Sequence, residues 1–178
     1  MKSSVKADFV MPIVVLMLIC LVMSGLLAGT NFITAPIITA GDAQRAEQAR
    51  IDVLPAADGF ELMDVALPEG STVTEVYEAT NGAGYVFMVS TTGYGAKGSL
   101  QIICSIDADG KIVDTNTLGH DETPGLGTKV TEDAFRSQFP GKDASMDGVD
   151  TISGATISSS AYVNAIKDVF AVYADITK

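Results

Sequence analysis

Only one histidine and two cysteines occur in the 178 residues. That scarcity leaves little from which to assemble a zinc cluster or a Ser-His-Asp triad, so hydrolase and metalloenzyme readings lose ground and no metal is expected. Cys20 sits in an apolar run and Cys104 in a strand-like one, so the two are not expected to pair. Cys20 follows Ile19, where a lipid-attachment site requires a small residue, and reads as a buried apolar side chain. Basic residues are also few, 11 against 22 acidic. The first 41 residues hold only Lys2, Lys6 and Asp8 as charged groups, which leaves 9 basic and 21 acidic residues behind them. Such an excess excludes nucleic acid and anionic lipid surfaces as partners. No internal repeat is visible. Glycine-rich GYGAKG, Gly93 to Gly98, has neither the G-x-G-x-x-G spacing nor a G-K-[ST] ending, so it is a poor nucleotide loop. It reads as a turn, or as backbone that a flat ligand can approach.

One long apolar run is present. FVMPIVVLMLICLVMSGLLA, Phe9 to Ala28, is uncharged and 20 residues long, the length a helix needs to cross a bilayer. Pro12 falls in the first turn of a helix beginning there, where a missing N–H costs little. A cleaved leader is the rival reading, but the run exceeds the usual h-region of ~7–15 residues and Leu26-Leu27-Ala28 is a poor cleavage site. Lys2 and Lys6 precede the run and no Lys or Arg follows until Arg45, which places the short end in the cytoplasm and the rest outside. The expected divisions are a cytoplasmic amino terminus at 1–8, a transmembrane helix at 9–30, a stalk at 31–58 and an extracytoplasmic domain at 59–178.

Beyond the run, Ala43, Ala46 and Val53 recur at helical spacing over Asp42 to Leu54, so the first helix continues outward or restarts at Asp42, with Pro55 ending it. Strand signals follow. Thr72 to Thr80 and Gly84 to Thr92 flank the turn Asn81-Gly82, and Leu100 to Ile106 and Lys111 to Leu118 flank Asp107 to Gly110. A short helix is expected over Thr131 to Phe139 and a brief strand over Val149 to Ile152. From Ser158 to about Asp175, Tyr162, Ile166, Val169, Phe170 and Tyr173 trace an amphipathic helix. The fold class is α+β: antiparallel hairpins and a carboxy-terminal helix behind one transmembrane helix.

Two stretches concentrate chemistry. HDETPGLGTK, His120 to Lys129, gathers the single histidine, two acids and two glycines beyond a strand end. DTISGATISSS, Asp150 to Ser160, packs six hydroxyl residues around Gly154-Ala155 just ahead of the last helix. Its plainest reading is a helix cap.

Taken together, Asp150-Thr-Ile-Ser153-Gly154-Ala155-Thr156 and Glu122-Thr123-Pro-Gly-Leu126-Gly127 resemble the covalent-FMN domain shared by two kinds of membrane redox complex. These are the Rnf-type ferredoxin:NAD oxidoreductase, through its G subunit, and the sodium-translocating NADH:quinone oxidoreductase, through its C subunit. The resemblance covers most of the chain, and the compact length is similar to the Rnf protein. It implies FMN attached through a phosphoester to Thr156, with Ser153, Gly154 and Ala155 beside it. It also implies a flavin transferase that recognises Asp150 and Gly154 during maturation. The ring is then expected against Glu122, Thr123, Leu126, Gly127 and Thr128, with His120 and Lys129 as further contacts, and Ile157 packing inward. Implied partners are the other membrane and redox subunits of the complex, and the implied work is electron relay coupled to Na+ or H+ translocation. The equivalent quinone-reductase subunit and an unflavinylated binding or assembly module remain the alternatives.

Overall fold

A computed structural model describes residues 4–178 of the chain; residues 1–3 of the expected cytoplasmic terminus, Lys2 among them, lie outside the described residues. The chain divides into two units, Met1–Arg45 and Ala46–Lys178.

The first unit is helical throughout its described part. Helix α1, Ser4–Val53, runs unbroken, so the helix continues beyond the apolar run rather than restarting at Asp42. It is long and apolar enough to cross a membrane. Because it begins at Ser4, Pro12 lies in its interior and not in its first turn, as does Pro36. Each forgoes one i→i−4 bond. The hydroxyls of Thr30, Thr34 and Thr39 donate to the carbonyls of Leu26, Thr30 and Ala35 at 2.8, 2.6 and 3.0 Å, which satisfies these polar groups within the helix.

The second unit is an antiparallel meander, β1 (Phe60–Leu62), β2 (Val73–Ala79), β3 (Gly84–Thr91), β4 (Leu100–Asp107) and β5 (Ile112–His120), paired in that order. After it come a 3-10 segment at Gly127–Thr131, the four-residue helix α2 (Asp133–Arg136) and α3 (Thr156–Ile176). The two expected hairpins form. Their turns differ: Asp107 to Gly110 closes as expected, its Asp107 carboxylate accepting the N–H groups of Asp109 and Lys111 at 3.0 and 2.8 Å. The first hairpin takes the wider loop 80–83, where the Asn81 amide donates to the Ala56 carbonyl at 2.7 Å instead of belonging to a two-residue turn.

Both faces of the sheet are covered, and this explains the nearly continuous apolar sequence of β4. Ile102, Cys104 and Ile106 face a core completed by Tyr162, Ile166, Val169 and Phe170 of α3, with Phe135 and Phe139. Ile103 faces the other way, against Ala49, Val53 and Leu54 at the end of α1 and Val86 of β3. Ser105, fully buried beside it, donates its hydroxyl to the Val53 carbonyl at 2.5 Å and accepts the Asp114 N–H at 3.2 Å, so the last turn of α1 is bonded to the sheet. Cys104 and Cys20 are both free, as expected, and burial, with the Asp114 carboxylate adding to it, pushes the Cys104 thiol up.

Two expectations fail here. Val149 to Ile152 is not a strand, because the Gln138 side chain accepts the Asp150 N–H at 2.8 Å and donates to its carbonyl at 3.4 Å, taking the place of a neighbouring strand. The helix over Thr131 to Phe139 shrinks to α2, bounded by turns that bring Phe135 and Phe139 edge to face at 5.3 Å.

Asp168 anchors α3 to the entry of β2. One of its oxygens accepts the hydroxyls of Ser71 and Thr72 at 2.9 and 2.8 Å and the Thr72 N–H at 2.6 Å. Burial disfavours its charge, but the bonds from Thr72 and Ser71 outweigh this and hold the carboxyl below the usual Asp value. A depressed pKa contributes stability that is complete above the ordinary value of about 3.9 and is lost as pH falls through the folded one. Asp168→Asn is therefore expected to cost about 1–2 kcal/mol at neutral pH, allowing for partial solvent exposure, and to flatten the acid limb of urea-unfolding midpoints plotted against pH.

Candidate functional site

Three segments meet at the start of α3. Thr156 is the first residue of that helix, preceded by Ala155, and no side chain caps the terminus. The opening N–H groups of a helix have no intrahelical partners, and the hydroxyl-rich stretch does not supply them by capping. Ser159 serves a different purpose: its hydroxyl donates to the Ala155 carbonyl at 2.9 Å and accepts the Ile152 N–H at 3.1 Å, fixing the loop to the helix. Gly154 adopts φ +81°, the left-handed backbone that glycine takes without steric cost, and this turns the chain into α3.

Against this terminus lie the 123–127 loop and the glycine-rich link. Together they enclose a recess of about 430 Å³ lined by Tyr94, Thr123, Leu126, Gly127, Thr156 and Ile157, with Gly154, Ala155 and Ser158 completing it. That volume is within the range that holds drug-sized molecules. The lining is unusual in exposing apolar surface: Tyr94 is 68%, Leu126 49% and Ile157 59% exposed. Among the described residues 46–178, five large apolar side chains stand exposed, and three of the five are these. A patch of that kind marks a ligand or partner site. On its other side Thr156 borders a more open hollow of about 610 Å³ whose walls carry Thr72, Thr91, Thr92, Ser160, Asn164 and Asp168.

Behind the recess Glu122 is only 5% exposed. It accepts the Ser158 hydroxyl at 2.5 Å and the Tyr94 N–H at 3.1 and 3.3 Å. Gly127 fits only without a side chain, since a Cβ there would lie 2.9 Å from the Glu122 Cβ and 3.0 Å from the Ser158 Oγ. Gly127→Ala is expected to lower stability by about 1–3 kcal/mol through this overpacking, read as a fall in the thermal midpoint.

Of the residues singled out from the sequence, the recess gathers Thr123, Leu126, Gly127, Gly154, Ala155 and Thr156. Glu122 stands behind its wall. Thr128 braces the loop, its hydroxyl accepting the Gly125 N–H at 2.9 Å. Ser153 is exposed in the turn before Gly154. His120 is exposed at the end of β5, its Nδ1 accepting the Glu122 N–H at 3.4 Å. Lys129 and Asp150 line a separate recess of about 190 Å³ with Glu132, Gln138 and Thr151. Lys129 lies two positions beyond Gly127 in the 3-10 segment, which at three residues per turn turns it about 120° away from the recess. Ile157 does not pack inward, since it is the second residue of a helix whose buried stripe begins at Ser158. Tyr94 is a wall residue that sequence reasoning missed. Its one signal is an aromatic side chain within a glycine-rich turn.

A family model described as an FMN-binding domain matches residues 95–171. The G subunit of an ion-translocating oxidoreductase complex from Methanosarcina acetivorans is 34% identical over 166 residues, 86% of this chain and 88% of the relative. The G subunit of a proton-translocating ferredoxin:NAD(+) oxidoreductase complex from Clostridium ljungdahlii is 26% identical, over 84% of this chain and 83% of the relative. The G subunit of a Na(+)-translocating ferredoxin:NAD(+) oxidoreductase complex from Acetobacterium woodii is 30% identical, over 92% and 91%.

Proposed function

The chain belongs to the family of G subunits of the ion-translocating oxidoreductase complexes, and from that premise we propose that it carries FMN covalently on Thr156 and relays electrons through it. It is a membrane-anchored, FMN-binding electron-transfer subunit of an Rnf-type complex. The complex couples ferredoxin:NAD+ electron transfer to the movement of Na+ or H+, and its other membrane and redox subunits are the partners of this chain.

The residues present fit the cofactor. The observation that carries the reading is the position of Thr156: an exposed hydroxyl at the first residue of α3, opening on a recess with an exposed apolar wall. A phosphate esterified to that oxygen would meet the free N–H groups and positive end of a 21-residue helix. Tyr94, Leu126 and Ile157 offer apolar surface of the kind an isoalloxazine ring covers, and Gly127 keeps the backbone open to it. Bound there, FMN supplies the one-electron chemistry that protein side chains lack. The ester keeps it from diffusing away outside the cytoplasm.

Attachment falls to a flavin transferase. The exposed Asp150, clamped only through its backbone by Gln138, leaves its carboxylate available for recognition by that enzyme. The charge asymmetry around the apolar run supports an amino terminus in the cytoplasm and an FMN domain outside. Alkaline phosphatase fused to the carboxy terminus is accordingly expected to be active; an inactive fusion would reverse the orientation. The direct test of the function is the intact mass of the protein from its own host, with fragmentation of the peptide spanning Asp150 to Lys167. An increase equal to FMN less one water, localised to Thr156, supports the assignment. An unmodified peptide from cells with an active flavin transferase overturns it and leaves a binding or assembly module.

A further inference from the structure

Glu122 belongs to the ETPGLG stretch, yet it does not line the recess. Its carboxylate is buried where three wall segments converge. Tyr94 from the glycine-rich link donates its N–H at 3.1 Å and 3.3 Å, and Ser158 from the first turn of α3 donates its hydroxyl at 2.5 Å. Glu122's own chain continues directly into Thr123, Leu126 and Gly127. The surroundings are shaped around this side chain. A Cβ on Gly93 would lie 2.8 Å from its Cδ, and one on Gly127 would lie 2.9 Å from its Cβ. Among the described residues no lysine or arginine forms a salt bridge with it.

We infer that Glu122 is a positioning residue that assembles the recess before any flavin arrives, and that its buried, unneutralised carboxylate then lowers the reduction potential of the flavin seated there. The first part follows from the hydrogen bonds alone. Leaving the Tyr94 N–H and the Ser158 hydroxyl without an acceptor in a buried site is costly, and each belongs to a residue of the wall. The second part rests on the reading that the recess seats FMN. An electron added in front of a carboxylate that no cation offsets is repelled, and burial keeps water from screening the repulsion.

The test uses the full chain in detergent and two variants. Glu122→Gln removes the charge and keeps one acceptor: an amide oxygen at the Oε2 position accepts the Ser158 hydroxyl and the longer Tyr94 contact, while its NH2 at the Oε1 position faces the Tyr94 N–H, donor against donor. Glu122→Ala removes charge and acceptor together. Hydrogen exchange on protein produced without flavin transferase is expected to show about tenfold faster exchange at residues 93–98 and 156–160 in Glu122→Ala, with protection of β3 and β4 retained. Glu122→Gln, which keeps the Ser158 bond but weakens the one to Tyr94, is expected to fall between the parent and Glu122→Ala. Unchanged exchange in Glu122→Ala, or protection lost evenly across the sheet, overturns the positioning role. On flavinylated protein, a dithionite titration with mediator dyes is expected to give a higher midpoint potential for Glu122→Gln than for the parent. An equal or lower midpoint overturns the electrostatic role. A parent chain that takes up no flavin at all sinks the proposed function instead, while the exchange measurements still decide the positioning role.

Discussion

Thr156→Ala is expected to abolish covalent FMN while leaving the fold intact. Thr156 is exposed and outside both clusters of the core, and alanine is the strongest helix former, so stability should change by no more than about 0.5 kcal/mol. Flavin fluorescence on a denaturing gel should disappear, and the intact mass should fall to that of the bare polypeptide. Thr156→Ser keeps a hydroxyl at the same place and is expected to remain modified. Retention of the FMN mass in the alanine variant would move the ester to another hydroxyl, with Ser153 the first to examine.

The largest loss of stability is expected from Phe139→Ala. Phe139 has no exposed surface, and its ring centre lies 5.3 Å from that of Phe135 and 5.3 Å from that of Tyr162. Removing it leaves a cavity between α3 and the segment after β5, at a cost of about 3–5 kcal/mol. Against a typical total of about 5–15 kcal/mol, the domain should be largely unfolded at modest urea concentrations. The urea midpoint measured by circular dichroism checks this, and a shift worth less than about 1 kcal/mol would show that the three rings do not carry the packing assigned to them.

The parts of the fold that were legible in the sequence are those whose residues repeat. β2 to β5 alternate or carry turn residues between them, and α3 repeats its apolar side chains through Tyr162, Ile166, Val169 and Phe170. β1 was not legible: three residues hold no period, and it exists because Phe60 to Leu62 pair with Ala79 to Tyr77 of β2. Val149 to Ile152 looked like a strand because β-branched residues are common there, whereas the backbone of Asp150 bonds to the side chain of Gln138 and the Ile152 N–H to the Ser159 hydroxyl. At the site, DTISGAT and ETPGLG located two of the three segments. Lys129 and His120, drawn in by adjacency along the chain, do not line this recess, Lys129 lying in a 3-10 turn and His120 at a strand end. Tyr94 comes from a third segment, and its place in the wall depends on the bond from its N–H to a carboxylate 28 residues away.

The covering of the sheet by residues 46–54 bears on how a soluble form of this protein should be produced. A polypeptide cut at residue 59, after the helix and Pro55, would keep all five strands yet leave Val86 and Ile103 without Ala49, Val53 and Leu54 against them. It would also strip the Ser105 hydroxyl of the Val53 carbonyl it donates to. The secretable fragment therefore begins ahead of Ala46, carrying the last two turns of α1 as part of its core and discarding only the apolar length before them.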